Sequence, residues 1–277
     1  MSYEPYQTPA QHPLPPAPPK PRISGTAMPH GVFLSTGTAS TGSSLSLVLT
    51  GFTIVTLGMC SLGPTYVLAW VLDRHLQVWD LSLPAVLLQV GGPADPLVWS
   101  VARIMVNLLG FFAFLVLLRS TPLAAHHAAE HMTVHAIERY GPYMWEPYVD
   151  QMPRAHRRCG SNLLAGLLPA MLVGVPLLGV ASPLAVLIGL MGWLMRHPLG
   201  YFLQNTFTTR PPTPGQLERG IASGRKLLAK WLKEPAPRLS LAQALWRRGV
   251  PQLVVGVIIA MYAIGLLTQR FHLWLDW

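Results

Sequence analysis

Residues 45–72 read LSLVLTGFTIVTLGMCSLGPTYVLAWVL, without one Asp, Glu, Lys or Arg. A helix rises about 1.5 Å per residue, so a run of this length is enough to cross the roughly 30 Å hydrocarbon core of a bilayer. Three further charge-free runs follow at 104–118, 161–195 and 249–268. Membrane spans are the simplest account of all four. Composition agrees: 51% of the 277 residues are hydrophobic and only 11% are charged, less than half the roughly 25% typical of soluble domains. A water-soluble surface is hard to build from such a chain.

The net charge of +9 raises the question of a nucleic-acid partner, because clustered Lys and Arg release counterions from phosphate. Position argues against one. The basic residues lie between or beside the apolar runs, where the positive-inside bias puts them on the cytoplasmic face. Segment 119–160 holds Arg119, Arg139, Arg154, Arg157 and Arg158, and segment 196–248 holds ten Lys and Arg. Loop 73–96 holds Asp73, Asp80 and Asp95 against Arg74 alone, which suits the outer face.

The reading is therefore an all-α integral membrane protein of about five transmembrane helices in a bacterial inner membrane. Its expected spans are 45–72, 97–118, two within 161–195 turned at Ser182-Pro183, and 249–268. Residues 1–44 are expected to be a disordered tail, rich in Pro to about residue 30 and in Gly, Ser and Thr from Ser35 to Ser46, with its N-terminus cytoplasmic. Residues 45–248 form the membrane domain with its two cytoplasmic segments, and 249–277 add a last span and a tail. No signal peptide opens the chain, so the first span is expected to direct insertion. Cys60 and Cys159 are expected at different depths, which leaves no disulfide framework.

Two polar features sit on this frame. Within 214–234, Leu217, Ile221, Leu228 and Leu232 recur at helical spacing opposite Arg225, Lys226, Lys230 and Lys233. Such a helix suits a surface of anionic lipid, or a cover over the protein's own cytoplasmic segment. Arg103 and Asn107, one turn apart in the second span, are costly in hydrocarbon. Arg103, near the outer end, is expected to snorkel.

The chemistry-bearing segment begins at Thr121-Pro122, read as N-cap and first helical residue, and ends at Gly141-Pro142. Between them His127, Glu130, His131, His135 and Glu138 fall on one side of a helix. His127-x-x-Glu130-His131 has the form of the inverted zincin motif, in which two imidazoles four residues apart bind one metal ion and the intervening carboxylate serves as general base. A third ligand is required, and Glu138, His135, His156 and Cys159 are the candidates. The bland alternative is a polar face on a membrane-surface helix that holds no metal. His126 is expected to point away from the cluster, toward solvent or headgroups.

Three blocks resemble the bacterial YqhQ-like membrane proteins, the family labelled domain of unknown function 1385, for which a metal-dependent activity has been proposed. His127-Ala128-Ala129-Glu130-His131, with Thr133 and Glu138, is similar to that family's His-Gly-Ala-Glu-His-Lys-Thr segment and later Glu. His156-Arg157-Arg158-Cys159-Gly160-Ser161 resembles its His-Pro-Arg-Cys-Gly-Thr/Ser block. Gly200, Gln204, Thr208-Thr209, Pro211 or Pro212, Gln216 and Glu218 follow its Gln-x-x-Thr-Thr…Pro…Gln-x-Glu pattern. The resemblance spans about residues 98–232 and implies that His127, Glu130, His131, Glu138, His156, Arg158 and Cys159 form one site. It departs at Ala128 and Met132, in the added last span, and at the family's Gly-Gly-Gln-Ala-Val-Met-Glu-Gly-Val-Met-Met-Arg segment, which has no counterpart in residues 22–45.

Two functions are then expected. One is a membrane metalloenzyme, most simply a zinc hydrolase, with Glu130 as base, metal ligands from His127, His131, His156, Cys159 and Glu138, and His135 and Arg158 nearby. The other is a non-catalytic scaffold or assembly subunit that binds a cytosolic protein or lipid headgroups. A transporter is set aside for want of an inverted repeat. No nucleotide-binding glycine loop, haem attachment pair or serine nucleophile elbow appears.

Overall fold

The computed structural model describes residues 21–76, 97–233 and 240–275. The Pro-rich segment 1–20, Asp80 and Asp95 of the loop after the first span, and Asp276 lie outside the described residues. The described residues are about 76% helical. Among the described residues three helices are long and apolar enough to cross a membrane: α1 (Ser44–Leu76), α2 (Leu97–Ser120) and, near the end of the chain, α9 (Val250–Leu275). Their large side chains, among them Leu49, Ile54, Met105, Phe112, Val254 and Ile258, point outward. Outward-facing apolar residues belong in lipid, because water would penalise each of them.

The run 161–195 folds as two shorter helices, α4 (Ser161–Leu177) and α5 (Ser182–Leu194), turned at residues 178–181. At 1.5 Å per residue they rise only about 25 and 20 Å, short of the roughly 30 Å core. Among the described residues three helices thus meet the length of a span, and α5 with the helix that follows it makes a fourth if the bent pair is counted as one. After α5 the chain bends by 69° into α6 (Arg196–Thr208), whose last turn, Gln204–Thr208, is a π-helix.

The remainder gathers at one end of the spans. Helix α3 (Pro122–Tyr140) starts and stops where Pro122 and Gly141 predict, although the Thr121 hydroxyl donates to Leu118 O instead of capping. Gly141 has φ 77° and its N–H closes on Ile137 O, a left-handed C-terminal position that favours glycine. Around α3 pack a 3₁₀ turn (Glu146–Gln151), α7 (Pro214–Trp231) and a β-hairpin of β1 (Ser24–Met28) and β2 (Gly31–Ser35), antiparallel with Ser24 opposite Ser35 and Met28 opposite Gly31. Val32, Leu34, Ala129, Met132, Ile137, Trp145, Val149 and Leu227 form their common core. A short helix α8 (Leu241–Arg247) leads into α9.

Two expectations are corrected here, and between the two readings of α7 one is favoured. Residues 24–35 are not part of a disordered tail: β2 is buried at every position. A two-stranded hairpin is marginal alone, and it is ordered here by packing on α3 and α7. Helix α7 lays Leu217, Ile221 and Leu228 on that core, so its apolar edge meets protein and not lipid, which favours the covering role over the interfacial one. Arg103 is only 6% exposed; it faces the interior, where hydrocarbon contact is avoided.

Helices α1 and α9 approach closely at glycine. A Cβ on Gly256 would strike Val48 O, and one on Gly51 would strike Leu253 O. Without a hydrophobic drive between spans, such small-residue contacts are what hold them. Gly256→Ala should therefore cost about 1–3 kcal/mol and lower the unfolding midpoint in detergent. Gly58→Ala, with open space at its Cβ position, should not; equal midpoints would refute this packing role.

Candidate metal centre

On α3, His127, His131 and His135 follow one another at four-residue intervals and so stand one above the next on one face. The His127 and His131 rings are 4.4 Å apart, centroid to centroid. Each imidazole is fixed by a backbone carbonyl from a distant segment. His127 Nδ1 lies 3.0 Å from Thr208 O, His131 Nδ1 2.5 Å from Arg154 O, and His135 Nε2 2.9 Å from Ala155 O. A carbonyl only accepts, so each of those nitrogens carries the proton. His127 and His131 are thereby left with Nε2 lone pairs. His135 takes the opposite tautomer.

The second half of the site is the turn after Arg154. His127 Nε2 lies 3.3 Å from Cys159 Sγ, and Ser161 Oγ donates to that sulfur at 3.1 Å. One ring nitrogen each from His127 and His131 and the Cys159 sulfur all lie within 4.8 Å of one another. The turn is held by two buried amides. Gln204 Oε1 accepts from His156 N at 2.7 Å, and its Nε2 donates to Asn162 Oδ1 at 3.0 Å. Asn162 Nδ2 in turn donates to the carbonyls of His156 and Arg157.

The other expected site residues stand around this trio. His156 Nδ1 accepts from Arg158 N, and its Nε2 faces Glu138 Oε2 at 3.4 Å. Glu138 also pairs with the Arg158 guanidinium. Both nitrogens of His156 and the Glu138 carboxylate are thus engaged with one another and with Arg158, not with the trio. Glu130 lies on the side of α3 covered by the hairpin, since a Cβ on Gly25 would strike its carboxyl. His126, expected in solvent, is fully buried: Nδ1 donates to Met28 O at 2.9 Å and Nε2 faces Arg219 Nη1 at 3.4 Å. Its ring pins the hairpin to α3, a long-range role that helical periodicity cannot show.

Burial sets the protonation states. Burial pushes the Glu130 carboxyl up to about 8, against the pull of His127 and with a smaller push from Cys159. It also raises the Cys159 thiol, which the Ser161 hydrogen bonds partly offset. The same desolvation holds His131 well below the usual imidazole range and lowers His135 and His156. Neutral imidazoles are the form that binds metal.

The donors fit a divalent ion. Zinc–nitrogen bonds of about 2.0–2.1 Å and zinc–sulfur bonds of about 2.3 Å place tetrahedral donors roughly 3.3–3.6 Å apart. The His127–Cys159 edge already has that length, and all three donor atoms lie within 4.8 Å of one another. Nδ1–H groups tied to carbonyls are the usual outer support of metal-binding histidines. Four supporting elements escape sequence reading: the carbonyls of Arg154 and Thr208, the Asn162 amide and the hairpin. Gln204 was visible as part of a motif, without its role.

Gln204→Ala leaves His156 N–H and Asn162 Oδ1 without their buried partner, at a cost of about 1–3 kcal/mol. In a Cys60→Ser background, alkylation of Cys159 by a maleimide should then accelerate about tenfold. An unchanged rate would show that the turn holds without the amide.

Comparison with curated proteins and with solved structures finds no match. A family model does match, over residues 54–195, which include α3 and the His156–Cys159 turn and leave out the hairpin and Thr208. With half of its length matched, and with both halves of the donor trio inside the match, the chain belongs to the family described as protein of unknown function (DUF1385).

Proposed function

We propose that this chain is a membrane-embedded, metal-dependent hydrolase whose ion, zinc by the character of the donors, is held by His127, His131 and Cys159. The observation that carries the reading is the convergence of these donors from two segments, with both imidazoles oriented by backbone carbonyls. A divalent ion there supplies Lewis acidity toward water and toward a carbonyl or phosphoryl oxygen. Glu130, buried between His127 and His131 in sequence, holds and moves the proton at its carboxyl oxygens. His156, Glu138 and Arg158 are positioning residues that keep the Cys159 turn against α3, and His135 anchors the chain at Ala155.

The reading includes a place. Basic residues of 119–160 and 196–233 crowd the end of the spans that carries α3 and the hairpin, which supports a bacterial inner membrane with the N-terminus, α3 and the site on the cytoplasmic side. The short rise of α4 and α5 supports a hairpin that enters and leaves on that side.

One observation favours a second reading. The hairpin covers Glu130, with Gly25 against its carboxyl, as in a closed structural metal site that keeps no open position. On that reading the chain is a non-catalytic scaffold whose extramembrane surface binds a cytosolic partner.

Elemental analysis of detergent-purified protein should find about one metal ion per chain. His131→Ala and Cys159→Ser should lose it, while His156→Ala and Glu138→Gln, outside the donor trio, should retain most of it. A metal-free wild type, or full retention by His131→Ala, would refute the metal centre. In a Cys60→Ser background, a cysteine placed at Ala181 should add nothing, from either side, to the labelling of Cys159 by a membrane-impermeant thiol reagent. Labelling from the outer side would instead mark two complete crossings.

A further inference from the structure

Where the hairpin meets the entrance of α9 lies a cavity of about 200 Å³, walled by the Ser24–Thr26 strand, Phe33, Val250, Leu253 and Arg248. It lies apart from the donor trio. Phe33 belongs to a small core with Met28 and Leu47, against which Leu253 packs, so the cavity sits at the level where α1 and α9 enter the bilayer. Its walls away from the Ser24–Thr26 strand are apolar apart from one cation. Arg248 is exposed, and its guanidinium has no side-chain partner among the described residues.

The surface leading away from the cavity is that of a lipid path. Val250, Val254 and Ile258 stand 41%, 49% and 59% exposed, and their four-residue spacing makes one continuous stripe down α9. Beside the cavity, α8 exposes Leu241, Leu245 and Trp246, a composition suited to the membrane–water interface. A cation above an apolar floor that runs into a lipid-facing stripe complements one kind of molecule. Basic pockets beside spanning helices recognise anionic headgroups in this way.

We infer that this cavity holds the headgroup of an anionic phospholipid, with Arg248 on its phosphate and an acyl chain along Val250, Val254 and Ile258. The volume suits a phosphate with its glycerol and not a whole lipid, so the chains remain in the bilayer. The strand that walls the cavity is the one whose Gly25 covers Glu130, so an occupied cavity holds the hairpin closed on α3. The inference does not depend on bound metal.

Native mass spectrometry of the full chain tests it, with phosphatidylglycerol and phosphatidylcholine of identical acyl chains added to the same detergent. Wild type should retain phosphatidylglycerol preferentially. Arg248→Glu should reduce that retention at least about fivefold, Arg248→Lys should largely preserve it, and Leu253→Trp, which fills the floor, should abolish it. Lys226→Glu, on the exposed face of α7, should leave it unchanged. Equal retention of the two lipids by wild type, equal losses in Arg248→Glu and Lys226→Glu, or full retention in Leu253→Trp would each overturn the inference. Metal content measured on the same samples separates a failure here from a failure of the metal centre.

Discussion

The ring of His127 is held from both sides by segments far along the chain, and the rest of the site follows from that. Thr208 O receives Nδ1–H from one direction, and Cys159 Sγ stands against Nε2 from the other. A helix can place imidazoles on one face, but it cannot decide which nitrogen is free. The carbonyl decides it, because an acceptor at Nδ1 forces the lone pair onto Nε2. Thr208 is delivered by the π-turn that ends α6, and such turns recur at functional sites because they re-aim one backbone group. Arg119, at the end of α2, fastens the next residue by donating to Thr209 O at 2.8 Å.

The membrane part and the site are one mechanical unit. α2 runs into α3 with only Thr121 between them, α4 starts two residues after Cys159, and α6 returns to α3 through Arg210 N–H donating to Ala124 O. Helices α2, α4 and α6 therefore each carry one wall of the site. Asn162 and Gln204 bond across that junction, and their burial makes the bond matter: an unpaired amide there has no water to replace its partner. The same logic applies to Glu130. Its carboxyl is buried beneath a hairpin strand, and desolvation favours its neutral form.

Much of this was legible in order and little of it in three dimensions. The 122–140 helix, its caps and the four-residue spacing of its histidines are local properties, set by Pro122, Gly141 and a 3.6-residue repeat. The break in 161–195 was equally local, although the turn falls at 178–181 and Ser182-Pro183 opens the helix after it. The hairpin was not, because Gly, Pro and Ser in 24–35 read as a loop until a partner surface buries the intervening Val32, Phe33 and Leu34. His126 looked like a solvated neighbour of the cluster for the same reason: its partners, Met28 and Arg219, are 98 and 93 residues away.

Composition alone pointed to a bilayer, since transfer of apolar area from water and the cost of charge in hydrocarbon act residue by residue, and three helices long and apolar enough to cross one are found among the described residues. Spacing alone determined that His127 and His131 share a face. The tertiary structure decided which of His135, His156, Glu138 and Cys159 joins them. It brought the sulfur to 3.3 Å from His127, turned His135 to the opposite tautomer, and engaged His156 and Glu138 with each other and with Arg158. Which side chains converge rests on where carbonyls and charges from other segments fall, and no local pattern in the sequence carries that information.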